Sequence, residues 1–195
     1  MAVSERAAEP AGILIETARL VLRPPKLEDF DAWAACAADT DMTIYLGGPQ
    51  PRAVAWRAFM AMAGSWSLNG FAMFSVLEKA TGRWLGRVGP WRPEGWPGNE
   101  IGWGLARAGE GRGYAYEAAV AATDWAFATL GWSDVIHCID ADNRRSEALA
   151  LRLGSARLRS TVLPPPSANS VIVWGQDRAS WIAGARQRSA GGFPR

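Results

Sequence analysis

Histidine is almost missing from this chain: His137 is the only one among 195 residues. A metal site built from several imidazoles is thereby excluded, and any Ser-His-Asp triad would hang on that one ring. Lysine is nearly as scarce, with Lys26 and Lys79 alone. Neither follows a Gly-x-x-x-x-Gly as a Walker-type phosphate loop requires, so ATP hydrolysis by that route is out. Cys36 and Cys138 lie far apart without a C-x-x-C partner. They suggest neither a zinc cluster nor a disulfide framework, and each reads as a buried reduced thiol; no metal is expected. Apolar runs are short: Ala118 to Ala122 is soon broken by Asp124, well below the roughly 20 residues of a membrane span. The first dozen residues carry Glu5, Arg6 and Glu9 and no apolar h-region, so they do not read as a secretory signal, and a cytoplasmic protein is expected. The net charge is only +2 and no basic run stands out, which excludes an obvious nucleic-acid footprint.

What is plentiful is tryptophan, eleven in all, with Trp56, Trp66, Trp84, Trp91, Trp96 and Trp103 crowding the first half. They fit either core packing or an aromatic-walled pocket. With 49% hydrophobic and 21% charged residues, the chain is expected to fold as one compact domain over 13–182, between a flexible N-terminus at 1–12 and a flexible tail at 183–195. Ile13 to Leu22 reads as a strand and Leu27 to Ala37 as a helix, with a second helix over Val54 to Met62. Phe71 to Glu78 and Trp84 to Trp91 form a hairpin pattern around Gly82, and Asn99 to Ala106 is a further strand. Tyr114 onward is helical with a stop at Gly131, and Asp134 to Ile139 is a short strand. A helix capped by Asp142 or Asn143 runs to Gly154, and two closing strands, Ala156 to Leu163 and Ser170 to Gly175, complete an α+β order with a mixed sheet.

The densest chemistry follows Asn99 to Ala106, where Arg107-Ala108-Gly109-Glu110-Gly111-Arg112-Gly113 runs straight into a helix. Glycines let several backbone N–H groups converge, and a helix N-terminus adds partial positive charge, so a pyrophosphate can sit there without lysine. Arg107 and Arg112 are placed to add contacts. A plain strand-to-helix turn is the bland alternative, and dinucleotide binding is a competitor. The third glycine of a Rossmann fingerprint, three residues after the second, is however missing in both possible registers, with Tyr116 standing there in one of them. Glu100, at the start of the preceding strand beside Ile101, is a candidate general base.

Four ordered segments carry a resemblance. They are Glu16-Thr-Ala-Arg-Leu-Val-Leu-Arg-Pro24 with Leu27-Glu-Asp-Phe30, Asn99-Glu-Ile-Gly-Trp103, Gly111-Arg-Gly-Tyr-Ala-Tyr-Glu-Ala118, and Asp142-Asn-Arg-Arg-Ser146 ending in Leu153-Gly154. From about Glu16 to Trp181 the chain resembles the GCN5-related N-acetyltransferase (GNAT) superfamily, and within it the branch that acetylates ribosomal-protein N-termini. The resemblance implies a mostly antiparallel central sheet with splayed central strands and helices on both faces. It further implies acetyl-CoA as co-substrate, held by Gly109 to Ala115 including Tyr114, with the Leu105 backbone N–H facing the thioester oxygen. Asn143 would bond the pantetheine arm and Ser146 would protonate the departing thiolate. The acceptor would be a primary amine, on a peptide N-terminus or a small compound, and a homodimer is left open. The chain departs from the family pattern at Ala108, Ala150 and Ser155, where a Gln or Arg, a Tyr, and an aromatic or Met are usual. A catalytically degenerate acyl-CoA-binding domain is the alternative those departures leave.

Overall fold

The structure, a computed structural model, describes residues 12–185. The flexible terminus expected over 1–12 and the tail expected from 183 lie almost wholly outside the described residues. Among the described residues eight strands form one sheet, in the order β1-β2-β3-β4-β5-β6-β8-β7. β1 (Ile15–Glu16), β2 (Leu20–Arg23), β3 (Phe74–Glu78), β4 (Trp84–Trp91) and β5 (Glu100–Leu105) run antiparallel to one another. β6 (Asp134–Ile139) lies parallel to β5, and β7 (Ala156–Val162) and β8 (Ser170–Asp177) close the far side antiparallel. The helices are α1 (Phe30–Ala38), α2 (Thr40–Thr43), α3 (Arg52–Asn69), α4 (Tyr114–Thr129), α5 (Arg144–Arg152) and α6 (Arg178–Ala183). This is the α+β architecture with a mostly antiparallel sheet that the sequence implies.

Strand alternation shows which face each helix covers. Arg87 and Val88 are neighbours on β4 and so point to opposite faces. Arg87 lies over Trp33 of α1, while Phe74, opposite Val88 in the ladder, meets Trp125 of α4. Helices α1 and α4 therefore cover opposite faces. On the α4 side Ala118, Ala119, Ala122 and Ala126 are fully buried, so the helix backbone comes close to a sheet floor that includes Val76, Val88 and Ile101.

Three expectations need correction. The strand read over Ile13 to Leu22 breaks into β1 and β2, because the buried Glu117 carboxylate of α4 accepts from the Thr17 hydroxyl, the Arg19 N–H and the Arg19 guanidinium. A side chain far away in sequence thus imposes a turn. The helix read over Val54 to Met62 extends from Arg52 to Asn69, since Ala55, Phe59, Met62 and Trp66 continue a buried stripe past Gly64 until Gly70 stops it at φ 76°. The short helices α2 and α6 were not expected; each is started by an aspartate cap, Asp39 and Asp177, and α6 is pinned by buried Trp181.

Candidate active site

β5 and β6 meet at a single ladder pair, Glu100 opposite Ile136, with Ile136 N–H bonded to Asn99 C=O at 2.8 Å. A continuing parallel ladder would next join Cys138 N–H to Ile101 C=O and Trp103 N–H to Cys138 C=O. Side chains intercept that step. Cys138 N–H donates instead to the Glu100 carboxylate at 3.0 Å, and Ile101 C=O accepts from His137 Nδ1–H at 2.7 Å. The strands part there. On the other edge of β5, Ala106 N–H bonds Leu85 C=O on β4 at 2.8 Å. By the alternation of an antiparallel ladder, the Trp103 and Leu105 N–H groups therefore point into the gap.

Glu100 is 6% exposed and accepts hydrogen bonds from two neutral donors, Cys138 N–H and Trp96 Nε1–H, the latter at 2.5 Å. Burial pushes its carboxyl up to about 7 against those two bonds. His137 is buried and its other nitrogen, Nε2, accepts from the Ser155 hydroxyl at 3.0 Å. Burial pulls the ring down to about 4, against the opposing Ile101 bond, so it is neutral at pH 7. His137 is thus fully engaged in structure. Its orienting partner Ser155 is one of the departures from the family pattern.

A cleft of about 210 Å³ opens at this gap. Glu100 and Gly102 line it from one face of the sheet, and Trp103 and Ser146 from the other, because the parted strands leave a passage between faces. Trp91, Trp96 and Trp103 form aromatic walls, whereas Trp66 and Trp84 are core residues, so both expectations about tryptophan apply to different members of the set. Tyr45 and Leu46, with Leu163, Ser167 and Asn169, close the cleft from two separate loops. Asn143 caps α5 by accepting from Ser146 N–H at 3.1 Å, and the Ser146 hydroxyl accepts from Trp103 Nε1–H at 3.1 Å, which leaves its own proton to donate.

Beyond β5 the chain makes a 3-10 turn at Arg107–Gly109 and enters α4. Gly109 is buried, and a Cβ there would meet the Leu85 carbonyl and the Leu105 side chain at 3.4 Å. Gly111 and Gly113 adopt φ 70° and 75°, and a Cβ at Gly111 would meet nothing within 4 Å. Gly113 stands at the N-cap of the 16-residue α4, so the N–H groups of Tyr114 and Ala115 lack partners within the helix. The two arginines turn to carboxylates. Arg107 pairs with Asp39 at 2.8 Å and with Asp41, and holds the Asp39 carboxyl down to about 2. Arg112 pairs with Glu78 at 2.9 Å. Ala108 sits within the 3-10 turn, and Ala150 is fully buried in a cluster with Ile139 and Trp174.

The structure thus brings Glu100, Asn143 and Ser146 to one cleft, with the Leu105 N–H facing the same gap and the glycine turn at the end of the same strand. Sequence reasoning missed Arg87, which also lines the cleft. No local motif marks it, and only its place on β4 beside β5 does.

The family model for the acetyltransferase (GNAT) domain matches residues 19–156. An acetyltransferase from Agrobacterium tumefaciens is 31% identical, with 89% of this chain and 99% of that one covered, at a TM-score of 0.75. A structure from Bordetella pertussis assigned to the GNAT acetyltransferases is 26% identical, with 85% and 99% covered and a TM-score of 0.70. A ribosomal-protein-S5-alanine acetyltransferase from Vibrio fischeri has a TM-score of 0.67 with 87% and 99% covered, and at 14% identity this likeness is one of fold alone.

Proposed function

The chain belongs to the acetyltransferase (GNAT) family, and from that premise we propose that it moves an acetyl group from acetyl-CoA to a primary amine in the cleft between β5 and β6. The acceptor in this reading is the α-amine of a protein N-terminus or of a small amino compound, in keeping with the ribosomal-protein branch that the sequence resembles. The observation that carries it is the convergence of Glu100, Asn143 and Ser146 on a gap lined by backbone N–H groups. Glu100, directly or through water, takes the proton as the amine nitrogen bonds to the carbonyl carbon. The Leu105 N–H stabilises the oxyanion; one such donor is worth roughly 3 kcal/mol. When the carbon–sulfur bond breaks, Ser146 gives a proton to the thiolate and regains one from solvent, while Glu100 releases the amine's proton to solvent.

Gly111, Gly113 and the first N–H groups of α4, at Tyr114 and Ala115, receive the pyrophosphate, and Gly109 sets the close packing of the turn. Arg107 and Arg112 contribute charge there, and Asn143 bonds the pantetheine arm. A base titrating near 7 suits an α-amine, which is neutral in roughly one molecule in ten at pH 7, better than a lysine, neutral in fewer than about one in a thousand.

An acceptor screen with acetyl-CoA, read as free thiol, tests the reading on the wild type and on Glu100→Gln. Amine-dependent thiol release that falls at least tenfold in the variant is expected. No release with any amine would instead favour an acyl-CoA-binding domain without turnover, the reading to which Ala150 lends weight.

A further inference from the structure

Arg87 stands on β4 opposite Gly104, and Glu100 stands on β5 opposite Trp91. Counting along both strands puts Arg87, Trp91, Glu100, Gly102 and Gly104 on one face of the sheet. The guanidinium stacks over Trp33 at 4.5 Å from the ring centre, and among the described residues no carboxylate or hydrogen-bond acceptor meets it. The nearby acids are committed elsewhere. Asp39 and Glu110, which act on the neighbouring Cys36 thiol in the sense opposite to Arg87, are paired with Arg107 and Arg145, and Asp140 across the cleft accepts from Asp142 N–H at 2.9 Å. A guanidinium drawn out of water without a counter-ion is costly, and an aromatic face offsets only part of that.

The floor between Arg87 and Glu100 is glycine. A Cβ at Gly104 would meet nothing within 4 Å, and Gly102 is covered by the end of the flexible Met73 side chain, with the Glu100 carboxyl beside it at 3.6 Å. Four residues of strand, about 13 Å, separate Glu100 from the position opposite Arg87, and both residues line the cleft. The space is an elongated trough with a proton acceptor at one end and an unpaired cation at the other.

We propose that the amine acceptor of this site carries a carboxylate, received by Arg87 while the amine approaches Glu100. The inference rests on the acetyl-transfer reading and narrows its substrate class. The carboxylate belongs either to a small amino acid-like compound or to an acidic side chain close behind a peptide N-terminus. Both present the same group to the guanidinium, which is suited to bidentate carboxylate binding.

The test uses two matched pairs of amines with the full-length protein: 4-(aminomethyl)benzoate against 4-(aminomethyl)benzamide, and the peptide amide Ala-Asp-Ala against Ala-Asn-Ala. Thiol release gives kcat/KM, and calorimetry gives binding without turnover. In at least one pair the carboxylate should win by tenfold or more, mostly through KM, and which pair does so identifies the source. Arg87→Gln should abolish the preference while acetyl-CoA affinity stays within a few fold; Arg87→Lys should keep part of it. A retained acetyl-CoA-induced rise in melting temperature shows that each variant is folded. Equal use of both members in both pairs by the wild type, or a preference that survives in Arg87→Gln, overturns the proposal. Carboxylate binding without thiol release would sink the acetyl-transfer reading alone, and thiol release without charge preference would sink this one alone.

Discussion

A carboxylate 6% exposed, bonded only by the neutral donors Trp96 and Cys138, keeps its proton to about pH 7. In the unfolded chain Glu100 loses it near 4.5, so folding binds a proton between those values. The contribution to stability is therefore fully present below 4.5 and is lost as pH rises through 7, on the order of 3 kcal/mol in all. Glu100→Gln lacks that slope. Measured by urea unfolding, the variant should gain on the wild type by a few kcal/mol between pH 5 and pH 8, whatever constant offset its altered hydrogen bonding introduces. The same group should place a limb near pH 7 in kcat/KM that the variant loses. A pH-independent difference in stability would mean that Glu100 titrates as an ordinary carboxylate.

At the scale of the element, the turn before α4 and the start of α5 do different jobs. Gly111 holds φ 70°, a conformation that a β-branched residue resists, although nothing crowds its missing Cβ. Gly111→Val should distort the turn and weaken acetyl-CoA binding at least tenfold, about 1.4 kcal/mol. Ser146 sits in the first turn of α5 under the Asn143 cap, which uses its backbone N–H and not its hydroxyl. Ser146→Ala should therefore spare affinity within a few fold while the rate falls roughly a hundredfold. Calorimetry beside single-turnover kinetics separates the two. If Ser146→Ala keeps full turnover, another group protonates the thiolate; if Gly111→Val binds normally, the loop is only a turn.

For the whole molecule the decisive feature is that the sheet stops zipping after Glu100 and Ile136. His137 and Glu100 each capture one half of the next backbone bond, and Ser155 and Gln176 hold the imidazole in place from behind. His137→Phe keeps a ring but leaves the Ile101 carbonyl and the Ser155 hydroxyl without that partner. It should cost about 1–3 kcal/mol in urea unfolding and lower turnover by letting the strands approach. Unchanged stability and rate together would show that the gap is held by packing elsewhere, and that the imidazole only fills it.

Much of this was legible in the chain itself, and the reason differs from element to element. Helix α4 announces itself because alanines at helical spacing and a glycine at each end are local signals, and β6 matches its expected bounds because a short apolar run between turns admits little else. The glycine turn and the Asn143 cap were readable because their chemistry is set by the residues' own backbone preferences. What no local pattern holds is anything that depends on a distant partner. The turn that splits the first strand is imposed by Glu117 about a hundred residues later. The late titration of Glu100 comes from burial, which outweighs the bonds from Trp96 and Cys138, and the role of His137 from a carbonyl across the gap. Arg87 looks like any strand arginine until β4 is laid against β5 and α1 supplies Trp33. Short-range preference set the bounds of α4 and β6; tertiary packing split the first strand and decided which charges lost their water, and that decides which groups in the cleft can exchange a proton.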